Sequence, residues 1–220
     1  MLPTFEIAPS APQRGSVIWM HGLGASNRDF EPIIAELRAP WLRYVFPAAP
    51  VRPVTINGGV PMPAWYDILS FDDPPLREHE PDVRESEREI AALIERERGR
   101  GVPPEQIVLA GFSQGGAMAL HTALRSAEPL AGVLVLSAYL LLPERFDAER
   151  TASSRESPVL FAHGRYDPVV PFRLGRSAHE RLLSAGYASR WEAFDMEHSL
   201  CIEEVHLLAS WLAERFAVKR

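Results

Sequence analysis

Short apolar runs alternate along the chain with longer stretches in which apolar residues recur every third or fourth position. The short runs predict strands over Val17–Met20, Tyr44–Phe46, Ile107–Ala110, Val133–Leu136, Val159–Ala162 and Trp191–Phe194. Between them the longer period predicts helices over Phe30–Arg38, Val83–Glu97, Gly115–Arg125, Arg173–Ser184 and Ile202–Phe216. In the second of these, Ile90, Leu93 and Ile94 form one apolar face and arginine–glutamate pairs occupy the other. Strands alternating with helices along most of the chain predict an α/β fold: a mostly parallel central sheet flanked by helices on both faces. Neither an internal repeat nor a linker divides the pattern, so a single domain over residues 1–220 is expected.

Two connections break the rhythm. Residues 47–80 are rich in proline and contain Asn57-Gly58-Gly59 and Ala64-Trp65-Tyr66-Asp67; residues 137–157 open with Tyr139-Leu140-Leu141-Leu142. Connections this long inside a compact domain usually carry function. Both follow predicted strands, which puts them at the carboxyl edge of the sheet, where ligands bind in open α/β folds. Neither is long enough to form a separate cap domain, so the expected pocket is walled by loops and open.

At that same edge, residues 107–125 read as an apolar strand, the turn Gly111-Phe112-Ser113-Gln114-Gly115, and an alanine-rich helix. A Gly-x-Ser-x-Gly pentapeptide alone is common. Between a strand and a helix it becomes a nucleophile elbow, in which the chain reverses so sharply that flanking side chains would collide. The serine oxygen is pushed clear of the sheet, above the unpaired N–H groups and positive dipole end of the helix. A plain glycine-rich βα turn is the competing reading, and it leaves this placement to chance.

A serine hydroxyl needs a base within hydrogen-bond reach, and the base needs an acid to orient it. In this architecture the chain order is serine, acid, histidine. That order excludes His21 and His79. His121 falls two turns along the elbow helix, His163 precedes the best acid, and His179 and His206 fall inside predicted helices. His198 remains, in a loop between the last strand and the last helix. Of the aspartates in the interval, Asp147 lies in a polar stretch and Asp195 is too close in sequence to approach the ring from behind. Asp167 follows a strand within His163-Gly164-Arg165-Tyr166-Asp167-Pro168, where glycine and proline fix the path of the loop. Its alternative role, capping the helix near Phe172, is hindered by the intervening prolines.

The oxyanion of an acyl-transfer intermediate needs two N–H donors. One is expected from Gln114, directly after the nucleophile. The other is expected from Leu23 in His21-Gly22-Leu23-Gly24, which follows the first predicted strand, with His21 bracing the loop.

Composition narrows the setting. A net charge of −6 argues against nucleic acid as a partner. The lone Cys201 fits a reducing compartment, the first residues lack the features of a signal peptide, and no apolar stretch reaches membrane-spanning length. A cytoplasmic protein without integral membrane association is expected. With no cysteine or histidine cluster at ligand spacing, no metal and no organic cofactor are expected. Lys219 is the single lysine among 23 basic residues, a bias without catalytic meaning.

Taken together, His21-Gly-Leu-Gly, Asn57-Gly-Gly, Trp65-Tyr66-Asp67, Gly111-Phe-Ser-Gln-Gly-Gly, His163-Gly-x-x-Asp-x-x-Val-Pro and His198-Ser-x-Cys resemble the carboxylesterase and acyl-protein thioesterase family, small α/β-hydrolases also described as phospholipase/carboxylesterase. The resemblance runs from about residue 14 to the C-terminus. It implies an α/β-hydrolase fold, Ser113, Asp167 and His198 as a catalytic triad, and Leu23 and Gln114 as oxyanion donors. It also implies that Trp65 lines the substrate site, and that two copies pair as a homodimer covering an exposed Leu140–Leu142 patch. Leu69 and Leu140 are expected beside Trp65 as substrate-binding residues. Where the family commonly has glycine before the histidine, this chain has Glu197, whose carboxylate is expected to raise the pKa of the base.

The expected function is a serine carboxylesterase acting on short- to medium-chain esters through an acyl-enzyme. An acyl-protein thioesterase or a lysophospholipase is the alternative, with an acyl thioester or lysophospholipid as substrate. From another class, a non-catalytic ligand-binding homologue would keep the fold without the chemistry.

Overall fold

The computed structural model describes residues 1–70 and 77–217. Residues 71–76 of the long 47–80 connection lie outside the described part, as do residues 218–220. In chain order the strands are β1 (Thr4–Ile7), β2 (Gly15–Met20), β3 (Leu42–Pro47), β4 (Val51–Val54), β5 (Val60–Pro63), β6 (Ile68–Ser70), β7 (Arg77–Glu78), β8 (Ile107–Phe112), β9 (Gly132–Leu136), β10 (Val159–Gly164) and β11 (Ser189–Phe194). The helices are α1 (Glu80–Gly99), α2 (Gln114–Leu124), α3 (Phe146–Glu149), α4 (Phe172–Ser184) and α5 (Ile202–Arg215).

Seven strands form one sheet in the order β1-β3-β2-β8-β9-β10-β11. Every pairing is parallel except that of β1 with β3. Successive strand residues point to opposite faces, so a sheet covered on both sides reads as a continuous apolar run. On one face Ile18, Leu109, Val135 and Phe161 meet α1, α2 and α4. On the other, Trp19, Val108, Leu134 and Leu160 meet Leu208, Trp211 and Leu212 of α5. Each large side chain so buried contributes about 1.5–3 kcal/mol. Helix α1 has Pro81 in its first turn with Glu80 and Asp82, and Arg96 and Arg98 in its last, matching charge to the helix dipole.

The six expected strands are present. The helix expected over Phe30–Arg38 is not: only Glu31–Ile33 is helical, as a 3₁₀ turn, and the segment runs on largely through i→i+3 hydrogen bonds. Nine residues are too few to make an isolated α-helix favourable. The tighter winding still buries Phe30 against Trp19 and Leu37 beneath the sheet. Within the 47–80 connection, β4 and β5 form a hairpin closed by a 3₁₀ turn, with Gly58 and Gly59 both at positive φ. The Leu140–Leu142 surface expected to join two copies is not exposed: Leu141 and Leu142 are buried, and Leu140 packs against the core. Apolar residues following a buried strand here fold back into the interior instead of crossing the surface.

Candidate active site

Strand β8 ends at Phe112 and α2 begins at Gln114, which leaves Ser113 alone to make the reversal. Its backbone sits at φ +56°, ψ −124°, a region that costs about 1–3 kcal/mol for a non-glycine residue. The glycines around it are required by space. A Cβ on Gly111 would lie 2.2 Å from the backbone of Gly115, and one on Gly115 would lie 2.3 Å from Met20 O. Ser113 N–H donates to Leu136 O at 2.8 Å, so the strained residue is tied to the end of β9.

His198 and Asp167 come from the loops after β11 and β10, neighbouring strands in the sheet. A carboxylate can only accept, so His198 Nδ1–H donates to Asp167 Oδ2, at 2.7 Å. The other oxygen, Oδ1, accepts from Val169 N–H at 2.9 Å and Val170 N–H at 2.8 Å. Burial pushes the Asp167 carboxyl up, but the hydrogen bonds from His198, Val170 and Val169 outweigh it and hold the group below the usual carboxylate range. His163 braces the same loop: its Nε2–H donates to Val170 O at 2.9 Å, and its ring stacks on Trp191. Sequence reasoning set His163 aside as a base and missed this bracing role; its position at the end of β10 is the signal that could have revealed it.

Ser113 and His198 line one cavity of about 410 Å³. Its walls are largely apolar, supplied by Leu23, Ala25, Phe30, Phe112, Val169 and Leu200, with Asp29 as the one carboxylate among the lining residues. The Phe112 ring lies against the His198 ring, centroids 4.6 Å apart. None of Phe30, Phe112, Val169 and Leu200 was named from the sequence as substrate-binding. Three of them are next to motif residues in sequence or one loop away, whereas Phe30 comes from the segment that precedes the 3₁₀ turn.

The loop after β2 packs beside Ser113, and a Cβ on Gly22 would sit 3.4 Å from Ser113 Cβ. Gly24, at φ +71°, donates its N–H to Pro63 O at 2.8 Å, and Ala25 N–H donates to Gly22 O. The Leu23 N–H between them has no acceptor among the described residues. Gln114 is the first residue of α2, so its N–H has no intrahelical acceptor either. His21 is buried, which pushes its pKa down and keeps the ring neutral. In that state Nδ1–H donates to Gly22 O at 2.7 Å, and Nε2 accepts from Ala49 N–H at 3.0 Å.

Of the three residues expected to bind substrate, the structure puts none on this cavity. Trp65 is fully buried behind the loop after β2, with its indole N–H on His21 O at 2.8 Å. Leu69 is exposed on β6, and Leu140 packs against the core. The Glu197 side chain is exposed, while its backbone carbonyl lies against Gly164. Among the described residues, no helix is long and apolar enough to cross a membrane, and no three His, Cys, Asp or Glu side chains gather as a metal ion would require.

Comparison with known proteins agrees with this architecture. Residues 4–215 match the family model described as phospholipase/carboxylesterase. Acyl-protein thioesterase 1 of Neurospora crassa is 34% identical over 224 residues, covering 97% of this chain and 91% of its own. A protein of Oryza sativa subsp. japonica, named a probable carboxylesterase, is also 34% identical and covers 96% of this chain and 82% of its own. The crystal structure of Arabidopsis thaliana SOBER1 superposes with a TM-score of 0.86 at 30% identity, covering 91% of this chain and 98% of that one. The chain belongs to the phospholipase/carboxylesterase family of α/β-hydrolases.

Proposed function

We propose that the protein hydrolyses short- to medium-chain carboxylic esters through an acyl-enzyme on Ser113. The observation that carries this reading is His198, hydrogen-bonded to Asp167 on one side and lining the cavity that Ser113 lines on the other. His198 Nε2 takes the Ser113 proton as the oxygen attacks the ester carbonyl, and Asp167 stabilises the imidazolium that forms. The negative charge on the former carbonyl oxygen is received by the Leu23 and Gln114 amides. As the carbonyl re-forms, His198 returns the proton to the departing alkoxide, and the alcohol leaves. Water then gives its proton to His198 and attacks the acyl-enzyme, and Ser113 leaves as the free hydroxyl with a carboxylic acid as the second product.

The apolar walls favour an acyl group with an alkyl chain. Thioesters are the second reading, supported by the name of the Neurospora crassa relative and by the ease with which a thiolate leaves. The test is kcat/KM for matched oxygen esters and thioesters from acetyl to dodecanoyl, with Ser113→Ala as the blank. Highest values on short oxygen esters support the carboxylesterase. Highest values on long thioesters support the thioesterase, and hydrolysis undiminished in Ser113→Ala overturns both.

A further inference from the structure

We infer that Trp65 is a positioning residue that joins the two halves of the oxyanion hole into one rigid unit. This rests on the serine-hydrolase reading above. The two donors sit on separate elements: Leu23 on the loop after β2, and Gln114 at the start of α2. Their amides must point at one oxygen, and a displacement of about 1 Å in such a site can cost on the order of 100-fold in rate. The pairing of β2 with β8 brings Met20 beside Gly111, and contacts beyond the strand ends must then hold the two loops in register.

Trp65 contacts both. Its indole N–H donates to the carbonyl of His21 at 2.8 Å, two residues before Leu23. Its backbone N–H donates to Gln114 Oε1 at 3.0 Å, while Gln114 Nε2–H donates to Tyr66 O at 2.8 Å. The Gln114 amide is therefore gripped on both ends by consecutive residues, which fixes its side chain and with it the first turn of α2. Trp65, His21 and Gln114 are each at most 2% exposed, so water cannot replace any of these bonds.

The clamp is itself anchored. Trp65 O accepts from Ser86 Oγ of α1 at 2.5 Å, and Ala64 N–H donates to Pro50 O at 2.9 Å. Asp67 accepts from the N–H and hydroxyl of Thr55, both at 2.6 Å, and its own N–H donates to Asp82 Oδ2 at 3.0 Å. A tryptophan that only filled the core would use its ring. This one places two N–H donors on the two elements that carry the oxyanion amides.

The test is Trp65→Phe, and, at the same position, site-specific benzothienylalanine, which keeps the bicyclic shape and lacks the N–H. Each is assayed for kcat and KM on an activated ester, and for inhibition by an alkyl trifluoromethyl ketone, whose serine adduct carries the oxyanion. The matching secondary alcohol, which forms no adduct, is the control. A fall in kcat of about tenfold, a fraction of what losing a whole donor costs, is expected with KM within about twofold. The trifluoromethyl ketone should weaken by the same factor and the alcohol not at all. Gln114→Met, which leaves the backbone N–H in place, should lose kcat in the same way, and combining it with Trp65→Phe should lose less than the product of the two. Unchanged kcat with a lowered Tm, or equal weakening of ketone and alcohol, would overturn the positioning role. Hydrolysis that persists in Ser113→Ala would overturn the underlying reading instead.

Discussion

His198 Nδ1 and Asp167 Oδ2 are 2.7 Å apart, and the second oxygen of that carboxylate is held by the Val169 and Val170 amides. The carboxylate is thus held independently of the imidazole, and its bond to Nδ1–H leaves His198 Nε2 unprotonated, as the base of the proposed mechanism must be. Asp167→Asn keeps the shape but lets the amide nitrogen face the ring, which favours the wrong tautomer. A fall in kcat of about 10³–10⁴ is expected, by analogy with serine proteases. Steady-state kinetics on one activated ester measures it, and a loss under tenfold would remove Asp167 from the mechanism.

The elbow makes a second expectation about stability. A methyl group on Gly115 would enter the Met20 carbonyl at 2.3 Å, and backbone cannot move aside as a flexible side chain can. Gly115→Ala is expected to destabilise the fold by about 3 kcal/mol or more, at or beyond the usual range for overpacking. Gly99→Ala, on the open end of α1 where a methyl would meet nothing within 4 Å, is the control. Urea unfolding midpoints compare the two, and similar values would show that the turn is less tightly built than its geometry requires.

What the sequence made legible was what is local. Gly111 and Gly115 are needed by a turn five residues long, and the chain order of Ser113, Asp167 and His198 narrows many candidates to few. The strands were legible because both faces of the sheet are buried, leaving uninterrupted apolar runs. Trp65, expected on the cavity wall, is instead fully buried: its partners His21 and Gln114 lie 44 and 49 positions away, and nothing near it in sequence reveals those bonds. Phe30–Arg38 has the spacing of a helix, but a segment this short gains little from α-helical winding, and it buries Phe30 and Leu37 through a 3₁₀ turn instead. Leu140–Leu142 resembles a surface patch only until the chain is folded back over it.

Asp29 brings the one carboxylate to a largely apolar wall. It is exposed, so its field is screened, and its effect on a charged substrate should be no more than about 1 kcal/mol. Asp29→Asn is expected to raise kcat/KM about two- to fivefold for a monoester of a dicarboxylic acid and to leave a neutral ester of equal length unchanged. The gain should shrink as salt is added. An equal change for both esters would mean that Asp29 acts through loop structure, through its bond to Ser26 N–H, instead of through charge.

Glu204, the third residue of α5, is fully buried, and neither carboxylate oxygen makes a well-formed hydrogen bond. Burial pushes its pKa up to about 8, against the pull of the nearby Cys201 N–H. In the unfolded chain a glutamate titrates near 4.3. Between these values the folded protein holds a proton that the unfolded chain has released, so stability falls as pH rises. The contribution is complete below about pH 4 and gone above about pH 8, with a slope of at most about 1.4 kcal/mol per pH unit. Glu204→Gln cannot ionise and should lack this component. Tm measured from pH 5 to pH 9 is expected to fall more steeply in the wild type than in the variant up to about pH 8, with the gap between them constant above it. Parallel curves would mean that Glu204 is as readily ionised in the folded protein as in the unfolded chain, and that water or a shifted Cys201 amide satisfies it.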